Sequence, residues 1–144
     1  MSDWNERFIY MAWQIAKWSK DPSTKVGAIL VDENRSIIST GYNGFPRGVL
    51  DDSDEYENRE LKYAKIVHAE VNAILSARGN IIHSHTLYTS LMPCSICAGI
   101  IIQSGIRNVI TVHSKIERWQ ESFAITRKMF SDAKVSLIEL PEIV

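Results

Sequence analysis

The two cysteines of this chain, Cys94 and Cys97, are separated by only two residues. They lie where a strand-like segment, residues 86–90, passes into a helix-like segment that begins at Ser95. Free backbone amides and the positive end of the helix dipole favour thiolates at the start of a helix. Two such thiolates can bind one metal ion, although the same spacing is also typical of a thioredoxin-like redox pair.

A histidine that could complete a metal site, His68, begins another predicted helix and is followed two positions later by Glu70. Zinc binds imidazole and thiolates together, and a site of His68, Cys94 and Cys97 would leave its fourth position for water, as in catalytic zinc sites. Two thiolates neutralise the charge of Zn²⁺, so this water should be acidified less than water on a zinc held by three histidines. We therefore expect a base beside the water, and Glu70 is the candidate because burial raises a carboxyl pKa.

The other three histidines lack such neighbours and are predicted to be structural. They are His83, His85 and His113. A second metal site at His83 and His85 is the weaker alternative.

Hydrophobic periodicity and turn residues predict an α/β protein in which one mixed five-stranded sheet carries helices on both faces. The predicted helices cover residues 3–17, 67–77, 95–104 and 117–130, and the strands cover 26–31, 37–40, 86–90, 108–112 and 135–140. Val71, Ile74 and Leu75 should lie on one side of the second helix, and Trp119, Phe123 and Phe130 should face inward from the last. Crossover connections should make the last three strands parallel, so that helix starts and strand ends meet at one edge. Residues 41–48 are predicted to form a glycine-rich loop, and residues 51–60 an exposed loop or short helix.

Composition indicates one globular domain, residues 1–144, with 45% apolar and 23% charged residues. The net charge of −1 argues against a nucleic-acid partner. No apolar stretch approaches the roughly 20 residues needed to span a bilayer, and the N-terminus has no signal-peptide core. We expect a soluble, cytoplasmic protein without a membrane partner.

The residues His68-Ala69-Glu70 and Pro93-Cys94-Ser95-Ile96-Cys97 together match the signature of zinc-dependent nucleobase deaminases. Further residues resemble the deoxycytidylate deaminases in particular, and they lie at 19–22, 41–44, 46, 67–74, 93–98 and 101–106. The resemblance implies a three-layer α/β/α cytidine deaminase-like fold and hydrolysis of dCMP to dUMP. It makes His68, Cys94 and Cys97 the zinc ligands and Glu70 the proton carrier, with an activated water attacking C4 of cytosine.

The resemblance also implies substrate contacts and regulation. Asn43 and Ala69 would contact the nucleotide, and an effector site would include Gly41, Tyr42, Asn43, Gly44 and Arg47. The activator would be dCTP, with Mg²⁺ accompanying the triphosphate, and the inhibitor dTTP. The protein would be a homo-oligomer, with a hexamer as the favoured assembly.

The substrate phosphate is predicted to meet two loops, one with Ser23 and Lys25 and one with Ser114 and Lys115. The second loop lacks the tyrosine expected from the resemblance, which leaves dCTP open as a substrate. Free cytidine deaminases and tRNA adenosine deaminases share the metal signature, but the helix before the last strand argues against the former and the near-neutral charge against the latter. A redox protein and a nucleotide sensor with a purely structural zinc are the rivals from other classes.

Overall fold

The computed structural model describes residues 3–142, so the predicted domain of residues 1–144 extends beyond the described chain at both ends. Its strands are β1 (Gly27–Val31), β2 (Ile37–Tyr42), β3 (Thr86–Thr89), β4 (Asn108–Val112) and β5 (Ser136–Leu140). They form one sheet in the order β2-β1-β3-β4-β5. The strand β1 lies between β2 and β3 and is antiparallel to both, whereas β3, β4 and β5 are parallel. The predicted mixed sheet with three parallel strands is confirmed.

The helices are α1 (Trp4–Ala16), α2 (Ser53–Glu57), α3 (Arg59–Lys65), α4 (Ala69–Ser76), α5 (Ser95–Ser104) and α6 (Gln120–Asp132), with a 3-10 helix at Glu117–Trp119. Side chains of β1 alternate between two hydrophobic clusters because neighbouring residues of a strand point to opposite faces. Ile29 and Val31 join the α1 side, and Ala28 and Leu30 join the side that α4, α5 and α6 cover. Helices therefore lie on both faces. Within residues 3–142, every helix falls short of the length and apolar character that a transmembrane segment needs.

The buried face of α4 differs from the predicted one. Leu75 is 66% exposed, and the residues that pack inward are Ala69, Glu70 and Ala73. The reason is the close approach of α4 to β2, where a Cβ atom on Gly41 would overlap the Ala69 carbonyl oxygen and the Ala73 amide nitrogen. Small residues are therefore required on both sides of this contact. Ile74 is partly buried against the core as predicted, whereas Leu75 is exposed.

Three other local predictions need correction. The strand β2 continues through Tyr42, so that Gly41 belongs to the sheet and not to a loop. Phe123 and Phe130 are buried as predicted, but Trp119 precedes α6 and is only half-buried. The segment 51–60, predicted to be exposed, contains the buried Tyr56, whose ring stacks on Phe45 with 4.1 Å between ring centroids.

Candidate active site

Three candidate metal ligands come together where two helices begin. His68 is the residue that precedes α4, Cys94 precedes α5, and Cys97 lies in the first turn of α5. His68 Nδ1 is 3.1 Å from the Cys97 sulfur and 3.7 Å from the Cys94 sulfur. A tetrahedral zinc with ordinary Zn–N and Zn–S bonds needs nitrogen–sulfur separations of roughly 3.6 Å. The donor set and its spacing therefore fit one zinc ion, with a fourth position left for a small ligand.

Hydrogen bonds from neighbouring elements hold these ligands in place. Val67, the residue before His68, exchanges two backbone hydrogen bonds with Gly44, of 2.8 and 3.1 Å. On the other side, the buried Thr126 of α6 donates its hydroxyl to the Pro93 carbonyl at 2.8 Å. The turn that carries Cys94 and the start of α4 are thus each fixed by a neighbouring element.

A hydrogen bond between the two cysteine side chains shifts their pKa values in opposite directions. A hydrogen bond from Cys97 lowers the pKa of Cys94 to about 4, with a smaller contribution from His68. The same hydrogen bond, together with burial, raises the pKa of Cys97. A hydrogen bond with Cys94 raises the pKa of His68. A cation that binds both sulfurs as thiolates would displace the thiol proton of Cys97, so metal binding here is coupled to proton release.

Glu70 lies in the first turn of α4 and is 4% exposed. Burial raises its pKa to about 7, because a carboxylate loses hydration in such surroundings. A carboxyl group with a pKa near the working pH is suited to accepting and returning a proton.

His68, Glu70 and Cys94 line a cavity of about 740 Å³, a volume within the range of small-molecule sites. Its aromatic lining residues are Tyr56, Tyr63, Trp119 and Phe123, and its charged lining residues outside the metal cluster are Asp21, Glu57, Arg59, Lys62 and Arg118. The predicted substrate residues Ser23, Asn43 and Ala69 also line it. The cavity therefore joins the metal cluster to a wall that is partly aromatic and partly charged, with both signs of charge present.

The buried carboxylate of Asp21 organises one side of this cavity. It is 1% exposed and forms an ion pair of 2.8 Å with Lys62. It also accepts hydrogen bonds from the Ser23 amide and hydroxyl, at 2.9 and 3.0 Å, and from the Asn43 side chain at 3.4 Å. Burial raises the pKa of Asp21, but the hydrogen bonds from Lys62, Ser23 and Thr24 outweigh it and hold the pKa below its ordinary value.

Comparison with known proteins supports the same assignment. Residues 2–113 match the family described as the cytidine and deoxycytidylate deaminase zinc-binding region. The chain belongs to this family. It is 43% identical to "Uncharacterized deaminase in luxG 3′ region" of Aliivibrio fischeri, over 98% of this chain and 96% of the relative. It is 37% identical to human deoxycytidylate deaminase, over 93% of this chain and 78% of the human one.

Solved structures agree on the fold of this family member. The dCMP deaminase of the cyanophage S-TIM5, in its apo form, superposes with a TM-score of 0.73 over 94% of this chain and 96% of the phage protein. A second crystal structure of that protein, in complex with dCMP and dUMP, gives a TM-score of 0.70. Identity to both is below 25%, so this likeness shows the cytidine deaminase-like fold alone.

The second pair of predicted phosphate residues lies apart from the metal cluster. Ser114 and Lys115 line a separate cavity of about 470 Å³ together with Trp13 and His113. Lys25 lines neither cavity, and its amine donates to the Ser19 carbonyl oxygen. Of the four predicted phosphate contacts, only Ser23 lines the cavity of the metal cluster.

Most of the predicted effector residues of this deaminase also lie outside the cavity of the metal cluster. Gly41 is packed against α4, and Gly44 uses its backbone amide for Val67. Tyr42 and Arg47 are exposed, and neither lines either cavity. Asn43 alone lines the cavity of the metal cluster. Its side-chain oxygen accepts from the Val26 amide at 2.9 Å, and its side-chain nitrogen donates to the Thr24 carbonyl at 2.9 Å.

Residues that the sequence did not predict for the site come mainly from α3 and from the turn before α6. They are Arg59, Lys62, Tyr63, Arg118 and Ser122. The helical spacing of the three α3 residues was a usable signal. It was missed because the neighbouring acidic residues favoured a solvent-exposed interpretation of this part of the chain.

Proposed function

We propose that this chain is a zinc-dependent hydrolase that deaminates dCMP to dUMP. The observation that carries the proposal is the cluster of His68, Cys94 and Cys97 beside the buried Glu70, at the wall of a cavity large enough for a nucleotide. The relatedness to proteins named deoxycytidylate deaminase, from human and other animals, supports dCMP as the substrate.

The residues divide the chemistry between them. His68, Cys94 and Cys97 would hold zinc, which when bound supplies a Lewis acid that lowers the pKa of water. Glu70 takes a proton from the water that attacks C4 of cytosine and delivers it to N3. It then helps ammonia to leave as the C4 carbonyl forms. Water and dCMP are thereby converted to dUMP and ammonia.

Loss of cytosine absorbance tests the proposal directly. Purified zinc-loaded protein is incubated with dCMP, dCTP or deoxycytidine, and we expect the highest kcat/KM with dCMP. A higher kcat/KM with dCTP would favour the alternative substrate, and a higher value with deoxycytidine would favour a nucleoside deaminase. Absence of turnover on all three would contradict the proposal and favour a nucleotide sensor.

Metal content separates the enzyme from the redox alternative. We expect one zinc per chain and two thiols that react with a thiol reagent only after chelation. The close approach of His68 to both sulfurs supports a metal site, because a redox pair does not require a third ligand. Metal-free protein with a reversible Cys94–Cys97 disulfide and no deaminase activity would instead support a redox function.

The proposal includes regulation and assembly of the kind that the resemblance implies. Activation by dCTP with Mg²⁺, inhibition by dTTP, a homohexamer and a cytoplasmic location all remain predictions. The exposure of Tyr42 and Arg47 supports an effector contact outside the substrate cavity. The rate should rise with dCTP and fall with dTTP, and Arg47→Gln should weaken both responses. Unchanged response curves would count against a role for Arg47, and light scattering would give the oligomeric mass.

A further inference from the structure

The helices that carry the metal ligands begin differently from α1, α2 and α3. Those three helices follow Asp3, Asp52 and Asn58, and in each case a side-chain oxygen accepts a hydrogen bond from an amide of the first turn. Such N-cap residues are common because the first amides of a helix lack partners within it. The helices α4 and α5 instead follow His68 and Cys94, whose ligand atoms belong to the metal cluster. The starts of these two helices therefore depend on contacts from other segments.

Two hydroxyl groups of α6 hold the start of α5. The Ser122 hydroxyl oxygen accepts from the Ser95 amide at 3.1 Å, and the Thr126 hydroxyl donates to the Pro93 carbonyl at 2.8 Å. Ser122 and Thr126 are four positions apart, so they lie on the same side of α6. Thr126 is fully buried, and valine has the same branching but lacks the hydroxyl that serves this carbonyl. The buried position therefore contributes a hydrogen bond as well as volume.

These two hydrogen bonds act on both peptide groups that flank Cys94. The Pro93 carbonyl belongs to the peptide group before Cys94, and the Ser95 amide belongs to the one after it. Because peptide groups are planar, their orientations determine the φ and ψ angles of the residue between them. These two angles set the direction in which the side chain of Cys94 leaves the backbone. Two side chains of α6 thus fix the backbone from which the Cys94 sulfur reaches the metal cluster.

We propose that Ser122 and Thr126 are positioning residues of the metal cluster, which pre-organise Cys94 for zinc through the backbone on either side of it. The inference rests on the zinc site of the proposed function and adds two residues of α6 to that site. Residues that orient metal ligands from outside typically contribute about 10- to 100-fold to metal affinity. We therefore expect the affinity for zinc, as well as the stability of the fold, to depend on these two hydroxyl groups.

The zinc affinity of matched threonine variants tests the inference. Metal-free wild-type, Thr126→Val, Thr126→Ser and Thr111→Val proteins compete for zinc with a chromophoric chelator. Thr111 is the control because it is equally buried and its hydroxyl donates to the Thr89 carbonyl at 3.0 Å, between two strands of the sheet. Thr126→Val should raise the zinc dissociation constant about tenfold or more, whereas Thr126→Ser, which keeps the hydroxyl, and Thr111→Val should stay within about threefold of wild type.

Cobalt in place of zinc reports the geometry around the sulfurs. The thiolate-to-cobalt charge-transfer bands should shift in Thr126→Val and in Ser122→Ala, and they should match wild type in Thr111→Val. Ser122→Ala, at a half-buried position, provides the test if Thr126→Val does not fold. Wild-type zinc affinity in both α6 variants, or a loss of affinity with unshifted bands, would overturn the inference. An equal loss of affinity in Thr111→Val would also overturn it, because the loss would then reflect stability alone.

Metal binding and turnover keep this inference distinct from the proposed function. Urea unfolding of the metal-free proteins should show a loss of stability in both valine variants, although only Thr126→Val should lose zinc affinity. Wild-type protein that binds zinc through the α6 hydroxyl groups but does not turn over dCMP would contradict the proposed function and uphold the inference. Turnover of dCMP by wild type, together with a zinc affinity that neither hydroxyl group affects, would uphold the function and overturn the inference.

Discussion

Replacing Glu70 by glutamine separates the proton-carrying role of this residue from its place in the packing. The amide has nearly the same shape as the carboxyl group but cannot carry a proton between water and the cytosine ring. General acid–base catalysis by a positioned side chain typically contributes about 10²- to 10⁴-fold to the rate, so kcat on dCMP should fall by at least that range. Zinc should remain bound because Glu70 is not among the three clustered ligands.

The same substitution should change stability in a pH-dependent way. Burial raises the pKa of Glu70 from 4.5 to about 7 in the metal-free protein. The folded state therefore binds this proton more tightly than the unfolded state, and stability declines as the pH rises from about 4.5 to about 7. One pKa unit corresponds to about 1.4 kcal/mol, so the ionised buried carboxylate costs about 3 kcal/mol above pH 7. Glutamine avoids this cost.

Urea unfolding of metal-free wild-type and Glu70→Gln proteins at several pH values measures the effect. The variant should be more stable by up to about 3 kcal/mol at pH 8, and the difference should disappear near pH 4. Glu60→Gln, at an exposed position of α3, should show no such pH-dependent difference. A zinc-loaded Glu70→Gln protein with the wild-type rate would refute the catalytic role, and a pH-independent stability difference would refute the effect of burial.

Two further substitutions test the metal cluster and the packing behind it. Cys94→Ser should lower the zinc content measured by atomic absorption and reduce the urea midpoint, since metal binding is coupled to folding; full zinc occupancy would contradict the ligand assignment. Gly41→Ala should lower the free energy of unfolding by about 1–3 kcal/mol because the added Cβ overlaps the backbone of α4. Gly99→Ala is its control, since a Cβ there meets only Met129 at 3.7 Å and should be tolerated; equal effects of the two would show that crowding at Gly41 is not the cause.

The sequence predicted the sheet and the metal cluster because each leaves a local signal. The alternation of helices and strands predicted three parallel strands. The spacing of Cys94 and Cys97 at a strand-to-helix junction indicated a metal site at the start of a helix. His68 could be chosen among four histidines only because Glu70 follows it, and the structure places His68 within reach of both sulfurs.

Contacts between distant segments left no comparable signal. The Asp21–Lys62 ion pair joins residues 41 positions apart, and neither residue forms part of a recognisable motif with the other. The apolar pattern of α4 predicted the packing of Ile74 but not the exposure of Leu75, because a tight contact with Gly41 selects small residues and no periodicity records that distance. Ser114 and Lys115 follow β4 and were expected at the common edge, but the loop leads them to a different cavity.

The two short helices α2 and α3 contact each other, and within residues 3–142 neither packs against a strand. Side chains attach them to the rest of the protein, by the Phe45–Tyr56 ring stack and by the pair of Lys62 with Asp21, while the pair of Lys65 with Glu55 joins the two helices to each other. The cluster of His68, Cys94 and Cys97 and the buried Glu70 instead lie at the starts of helices that cover the sheet. Residues on α2 and α3 that line the cavity can therefore be exchanged without disturbing this cluster. In this architecture, one wall of the cavity can change while the helix starts beside the sheet stay in place.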